Sequence, residues 1–135
     1  ALMPPSPGSI GELLAALTEV ARSFESLAEE LRELAWASSV RQALEFRKYK
    51  AVTAIEGFVD VEMRNGDALT WWLECVPQEG KWVVSGALLH IEAGVQKPAV
   101  TLPDITAGSD AELVSALPLA ARKLIAISPP AGLVS

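Results

Sequence analysis

The chain has 135 residues, of which 50% are hydrophobic and 21% charged, and its formal net charge at pH 7 is −6. This length and composition fit one globular domain and exclude a disordered chain, which has far fewer apolar residues. The acidic balance argues against a nucleic-acid binder and against docking on anionic membranes, because both need a basic surface. One cysteine and one histidine exclude an internal disulfide and any multi-histidine or multi-thiolate metal site.

The proline-rich start of the chain lacks hydrophobic periodicity, so a flexible lead-in is expected over 1–8. A single domain is predicted over 9–127, followed by a tail over 128–135. No run of 18 apolar residues occurs, and no transmembrane helix is expected. The cytoplasm is the favoured compartment, since the lone cysteine slightly favours a reducing environment.

A long amphipathic helix is predicted over Ile10–Trp36. Ser9 and Glu12 match a capping box, in which the serine hydroxyl and the glutamate carboxylate satisfy free backbone N–H groups. Apolar residues then recur every seven positions in two series: Ile10, Leu17, Phe24 and Leu31, and Leu13, Val20, Leu27 and Leu34. Such heptads fit either a coiled-coil seam with a partner or a helix lying across its own sheet. We favour the sheet, because the flanking positions lack paired opposite charges.

The segment after this helix has two features. Ser39–Gln42 matches a second capping box, which predicts a short helix through about Arg47. Phe46–Lys50 is a basic cluster with interleaved aromatic residues. Such a cluster can hold a phosphate or a carboxylate, but cations are also favoured at a helix C-terminus, and the local explanation is preferred.

A β-meander is predicted because two turn signals separate three segments of strand composition, Phe58–Met63, Ala68–Val76 and Lys81–Ile91. The first turn is expected to be the three-residue loop Arg64–Gly66, with Gly66 as a bulge. The second is expected to be the four-residue loop Pro77–Gly80. Upstream, Ala51–Glu56 opens the first strand, and Gly57 predicts a bulge or a close backbone approach that divides this strand into two pieces.

This register sorts the strands into two faces. One is nearly all apolar and is predicted to be buried: Val59, Val61, Met63, Leu69, Trp71, Leu73, Cys75, Trp82, Val84 and Leu88. The other is mixed and is predicted to be half covered: Phe58, Asp60, Glu62, Thr70, Trp72, Glu74, Val83, Ser85, Ala87, Leu89 and Ile91. Adjacent tryptophans on a strand point to opposite faces, so Trp71 or Trp72 must meet a second layer, a ligand or a partner.

The last third of the chain predicts one strand and one helix. Pro98–Leu102 is expected to add a short edge strand. Ser109 and Glu112 match a third capping box, which opens a helix over 110–126 with a kink at Pro118. The predicted fold class is α+β: a long N-terminal helix, an antiparallel meander of three to four strands and a kinked C-terminal helix, in a two-layer sandwich.

The sequence carries no catalytic signature. No pattern places a nucleophile beside His90. Cys75 lies in the predicted buried face, where a thiol is inert. Asp60, Glu62 and Glu74 can converge on one face, but no Asp-rich loop accompanies them. No catalytic residue, metal ligand or cofactor is therefore predicted, and an enzyme is less favoured than a binding protein.

The predicted function is binding of a protein partner by a non-catalytic domain of the adaptor, secretion-chaperone or immunity type, through an acidic surface and an apolar face. The candidate interface consists of the apolar residues of the mixed face: Phe58, Trp72, Val83, Leu89 and Ile91. The alternative is a small-molecule cup or an enzyme with an apolar pocket between helix and sheet. That pocket would be lined by Trp71, Trp82 and His90.

A homodimer is also expected. Two amphipathic helices and a sheet with two partly apolar faces present more apolar surface than one small chain easily covers. The dimer would form through the Trp72 face or through the heptad helix. The competing interpretation bends the terminal helix at Pro118 onto that face and leaves a monomer.

Overall fold

The computed structural model describes residues 7–49 and 52–134, which form helices packed on one side of an antiparallel sheet. The elements in chain order are α1 (Pro7–Arg32), β1 (Ala37–Tyr49), β2 (Val52–Met63), β3 (Ala68–Gln78), β4 (Lys81–Glu92), β5 (Val95–Thr101), β6 (Ile105–Ala107), α2 (Asp110–Ile125) and α3 (Ala131–Val134). The strand order is β1-β2-β3-β4-β5, and β6 also pairs with β4. The predicted α+β fold is confirmed, with six strands in place of three to four.

The core lies between the helices and the predicted apolar side of the sheet, called the helix face from here on. The largest fully buried side chains are Trp71, Phe24, Leu69, Leu73, Leu88, Leu113, Leu117, Leu124, Val20, Val59, Val61 and Val84. Helix α1 contacts β1 and β2, helix α2 contacts β3, β4 and β6, and the two helices contact each other. The apolar side of helix α1 is thus buried against the sheet of its own chain, which is the alternative favoured over a coiled coil. The competing interpretation, in which the terminal helix bends at Pro118 and covers the mixed face of the sheet, is wrong.

Helix α1 begins at Pro7, so the predicted cap at Ser9 is wrong. Proline suits a first helical turn, because its fixed φ is helical and its missing N–H has no partner there in any case. The helix ends at Arg32, before the predicted end at Trp36. Of the predicted lead-in, residues 1–6 lie outside the described residues. The predicted tail contains the short helix α3.

The short helix predicted over 39–47 is wrong, since these residues belong to strand β1. Val40 and Leu44 point to the helix face, whereas Arg41 and Glu45 point to the opposite face. From Leu44 to Arg47 apolar and polar residues alternate strictly, which is the pattern of a half-buried strand, and it outweighs a capping-box match of four residues.

The first turn of the meander forms as predicted. The Met63 backbone N–H donates to Asp67 O at 2.8 Å, which closes the three-residue loop Arg64–Gly66. Gly66 has a φ of +93°, the left-handed conformation that glycine adopts without strain.

The second turn is shorter than predicted. Gln78 pairs with Lys81, so the loop consists of Glu79 and Gly80 alone, with φ values of +52° and +76°. Two consecutive positive φ values are typical of the type I′ turn, whose twist matches that of the flanking strands. Shortening the loop by two residues shifts the register by an even number. Every side chain therefore keeps its predicted face.

Strand β2 runs unbroken through Gly57, so the predicted division into two pieces is wrong. The alternative of a close approach is correct. A Cβ atom at this position would lie 2.5 Å from Phe24 Cε2 and 2.9 Å from Leu44 Cδ1. Glycine thus allows the Phe24 ring to pack directly on the backbone of β2.

The C-terminal elements follow the prediction closely. Ser109 Oγ accepts from Glu112 N–H at 3.2 Å, and Glu112 Oε2 accepts from Gly108 N–H at 2.6 Å, which is a capping box displaced by one residue. Helix α2 continues as one element through Pro118. The predicted edge strand is longer than expected, and its register shifts where Pro98 pairs with Leu89. None of the described helices combines the length and apolarity needed to cross a bilayer.

Candidate interaction surface

The side of the sheet turned away from the helices is called the open face. Its side chains on β1–β4 include Arg41, Ala43, Glu45, Arg47, Val52, Ala54, Glu56, Phe58, Asp60, Glu62, Thr70, Trp72, Glu74, Val76, Val83, Ser85, Ala87, Leu89 and Ile91. Within the described residues, both long helices pack on the other side. The sheet alone therefore positions the open-face residues, and its register decides which of them are neighbours.

An aromatic pair lies at the centre of the open face. Phe58 on β2 pairs directly with Trp72 on β3, and Ala43 and Ala87 flank them on β1 and β4. Both rings are half-buried, so each presents part of its surface to solvent. Small flanking residues leave room above the neighbouring strands, which makes the aromatic pair accessible.

A row of carboxylates crosses the sheet next to this pair. Glu45, Glu56 and Glu74 are consecutive cross-strand partners on β1, β2 and β3. Glu56 Oε2 accepts from Arg47 Nη1 at 2.9 Å and from Trp72 Nε1 at 3.3 Å. These bonds fix the Glu56 side chain and the Trp72 indole relative to each other. We call Glu45, Glu56 and Glu74 the glutamate row.

Glu74 is the electrostatically costly member of the glutamate row. Its partial burial raises the pKa of its carboxyl, the nearby Glu56 carboxylate raises it further, and Arg47 opposes both effects in part. Among the described residues, no hydrogen bond or ion pair to the Glu74 side chain is found. An added cation at this position would relieve the repulsion.

The other flank of the aromatic pair holds a second polar group. Arg41 Nη2 lies 3.1 Å from Asp60 Oδ2, and the Thr70 hydroxyl donates to the other Asp60 oxygen. The Arg41 guanidinium also lies over the Phe58 ring, with its Cζ 5.3 Å from the ring centroid. This is a cation–π contact. The Arg41 guanidinium thus contacts both an aromatic ring, Phe58, and a carboxylate, Asp60, on the open face.

Two adjoining grooves follow this arrangement. The first, of about 620 Å³, is lined by Arg47, Val52, Ala54, Glu56, Glu74, Val76, Pro77, Gln78, Val83, Ser85 and Asp104. The second, of about 450 Å³, is lined by Arg41, Arg47, Glu56, Phe58, Asp60, Thr70, Trp72, Glu74, Leu89, Ile91 and Gln96. Arg47, Glu56 and Glu74 line both grooves. The open face is therefore one continuous recessed surface with carboxylates along its middle.

All five residues of the sequence-predicted interface lie on the open face. Phe58, Trp72, Leu89 and Ile91 line the second groove, and Val83 lines the first. Their use as an interface stays a prediction. Sequence reasoning assigned the strand containing Arg41, Glu45 and Arg47 to a helix, and therefore missed these members of the face. The alternation of apolar and polar residues from Leu44 to Arg47 is the signal that identifies Glu45 and Arg47 as members of one strand face.

The three residues of the alternative pocket lie on the helix face, where Trp71 and His90 are diagonal neighbours on β3 and β4 and Trp82 lies further along β4. Trp71 is 1% exposed, and its Nε1 donates to Ile127 O at 3.1 Å. Trp82 Nε1 donates to Asp110 Oδ1 at 3.3 Å, and His90 Nε2 lies 3.3 Å from Asp67 Oδ2. Each side chain thus has its own partner, and none of the three lines a groove described here.

Metal binding and thiol chemistry find little support in the described residues. They hold no group of three or more His, Cys, Asp or Glu side chains arranged to bind a metal ion. Burial, with a smaller effect of Glu74, raises the pKa of the Cys75 thiol to about 12. A thiol with such a pKa is almost wholly protonated at neutral pH and is a poor nucleophile.

Comparison of the chain with protein-family models, with curated protein sequences and with solved structures gives no significant match. The geometry of the open face is therefore the main evidence on function.

Proposed function

We propose that this chain is a non-catalytic protein-binding domain that holds a basic, partly apolar segment of a partner on its open face. The observation that carries the proposal is the half-exposed Phe58–Trp72 pair lying beside the glutamate row in one recessed surface. Aromatic anchors in a recess, surrounded by polar groups, are typical of the residues that dominate protein interfaces.

Charge complementarity supports a basic partner segment. On β1–β3 the open face carries the carboxylates of Glu45, Glu56, Asp60, Glu62 and Glu74 against the guanidinium groups of Arg41 and Arg47. A lysine or arginine of the partner would gain an ion pair with Glu74 and a cation–π contact with Trp72, since Arg41 already lies over the Phe58 ring. The apolar residues Val83, Leu89 and Ile91 on β4 then accept aliphatic side chains of the same segment.

A small-molecule cup is the second candidate, because the first groove falls within the size range of small-ligand sites, roughly 300–1,000 Å³. Its apolar floor consists of Val52, Ala54, Val76 and Val83. A cup on the open face would differ from the pocket predicted between helix and sheet. The same electrostatics favour a cationic apolar ligand over an anionic one.

Titration calorimetry with three designed peptides tests the proposal. The peptides have equal length and alternate leucine with lysine, with glutamate or with glutamine. We expect only the lysine peptide to bind, and its affinity to fall as salt is added, because salt screens exposed charges. Trp72→Ala should weaken this binding by about tenfold or more, the loss typical of a central aromatic anchor.

Leu14→Ala is the matched control, because Leu14 is 56% exposed and lies on helix α1, away from the open face. This variant should bind the lysine peptide as the wild type does, and circular dichroism should show both variants folded. Equal binding of all three peptides, or unchanged binding by Trp72→Ala, would contradict the proposal. A saturable change of tryptophan fluorescence with a metabolite, without peptide binding, would favour the cup.

A further inference from the structure

Strand β1 forms one edge of the sheet. It spans 13 residues and contains neither proline nor glycine, and among the described residues it pairs with β2 on one side only. A long edge strand presents unpaired backbone N–H and C=O groups, and proteins normally shorten, bend or cover such an edge. On this edge, the Arg32 guanidinium donates to Val40 O at 3.4 Å. A backbone N–H of another strand can replace this long bond.

The edge is bordered by an apolar groove on its helix side. This groove, of about 270 Å³, is lined by Ala21, Phe24, Gln42, Ala43 and Leu44. Next to it, Phe46 on β1 is 63% exposed although it lies on the helix face. A strand added to β1 would place its own apolar side chains into this groove and against Phe46.

We propose that the chain forms a homodimer in which β1 pairs antiparallel with β1 of a second copy, centred on Ala43. A two-fold axis perpendicular to the sheet pairs the residues of the two strands symmetrically about one central residue. With Ala43 at the centre, Arg41 lies opposite Glu45 of the partner subunit, and this ion pair occurs twice. On the helix face, Val40 then lies opposite Phe46 of the partner subunit.

The neighbouring registers are electrostatically worse. An axis centred on Arg41 places the two copies of Arg41 opposite each other, and an axis centred on Glu45 does the same for Glu45. An axis centred on Leu44 places Arg41 opposite Arg47 of the partner subunit. Like charges directly opposite each other destabilise a strand pair. A centre at Gln42 leaves Arg41 and Glu45 facing uncharged residues. Among the registers centred from Arg41 to Glu45, charge therefore selects Ala43.

The same argument disfavours a dimer through the open face. A dimer through that face would bring two surfaces with an excess of carboxylates together, and Glu74 already carries the cost of a neighbouring carboxylate. Pairing at the β1 edge leaves both open faces free, on the same side of one continuous sheet. The inference therefore goes beyond the proposed function, and either can fail without the other.

Charge exchange tests the dimer and its register by analytical ultracentrifugation. The wild-type chain should sediment as a dimer of the 14.3 kDa protomer at micromolar concentration. Arg41→Glu and Glu45→Arg should each raise the dimer dissociation constant by about tenfold or more, since each creates two like-charge pairs. Mixing the two variants should restore the dimer, because every cross-strand pair in the heterodimer is again of opposite charge.

Within one chain, Arg41 and Glu45 lie about 13 Å apart along the strand, so this restoration has no intramolecular explanation. Wild-type chain that stays at 14.3 kDa at all concentrations would overturn the proposal. So would a mixture that remains monomeric, or a dimer that is dissociated by Trp72→Glu and unaffected by the charge exchanges.

A cysteine scan gives an independent test of register. Ala43→Cys should form an interchain disulfide on mild oxidation, because symmetry places the two side chains opposite each other at the centre. Ser39→Cys is the control, since the two copies of residue 39 would lie about 26 Å apart. Cross-linking at 39 and not at 43 would overturn the register. Native Cys75 is buried and should stay reduced in both variants.

Discussion

Glu74 connects the stability of the fold with the proposed binding function. Its carboxyl is partly buried between the Glu56 carboxylate and the Trp72 ring, and both the burial and Glu56 raise its pKa. The folded state therefore favours the protonated form. Below the ordinary value of 4.5, the carboxyl is protonated in both folded and unfolded chains, and it costs nothing. As the pH rises, the unfolded chain ionises first, so the folded state loses relative stability.

Glu74→Gln should therefore raise the melting temperature at pH 7, because the amide keeps the shape of the side chain without its charge. The gain should shrink as the pH falls towards 4.5 and vanish below it. Thermal unfolding followed by circular dichroism between pH 3 and pH 8 measures this, with exposed Glu29→Gln on α1 as the control. A gain that persists unchanged in acid would show that the charge of Glu74 is not its cause.

The same substitution should weaken binding of the lysine peptide, since Glu74 is a carboxylate of the glutamate row for which the described residues supply no hydrogen bond or ion pair. A residue that costs stability and aids binding is the trade-off expected at functional sites. Such a role was not visible from the sequence. There Glu74 was one of several acids on a strand face, and only the register reveals its pairing with Glu56.

Among the elements, those with strong local signals were predictable. The capped helix α2 and the Asn65-Gly66 turn formed as expected, because both depend on residues close in sequence. Strand β1 was missed because its capping-box match suggested a helix, and because residues 50 and 51, which link it to its partner β2, are lysine and alanine and carry no turn signal. Strand β6 spans three residues and carries no pattern of its own.

The packing of α1 on β2 gives a prediction at the scale of elements. Gly57→Ala should destabilise the fold by about 1–3 kcal/mol, because the added Cβ must displace the Phe24 ring from the β2 backbone. Gly11→Ala is the matched control. A Cβ at Gly11 meets nothing within 4 Å, and alanine there should stabilise helix α1 by about 0.5–1 kcal/mol.

Urea unfolding measures both effects as shifts of the midpoint at constant slope. If Gly57→Ala were as stable as the wild type, Phe24 would not be held against β2 as described.

For the molecule as a whole, the two faces of the sheet were predictable because side-chain alternation survives an even change of register. The second turn was expected to be four residues and contains two, yet Leu69, Trp71 and Leu73 are buried as predicted. What covers each face was not predictable, since that depends on where both helices pack. Among the described residues both pack on the helix face, so neither helix covers the open face, and β1 has a neighbouring strand on one side only.

The reactivity of Cys75 tests whether the helices and the sheet of this chain unfold cooperatively. It lies on the central strand β3, is 1% exposed, and faces the core shared by both helices and the sheet. A thiol reagent can reach it only when helices and sheet separate, so labelling should proceed through global unfolding. In native buffer, labelling should be slower than that of an unfolded chain by about 10³-fold or more, the range set by ordinary domain stability.

Gly57→Ala should then accelerate labelling of Cys75 by about 5- to 150-fold, because a loss of 1–3 kcal/mol multiplies the unfolded population by that factor. Stopped-flow or manual assays with a chromogenic disulfide reagent measure the rates, and Gly11→Ala should slow labelling rather than speed it. Equal rates for the two variants would mean that the reagent enters by a local opening near β3. The helices and the sheet would then not unfold as the single cooperative unit that their shared core implies.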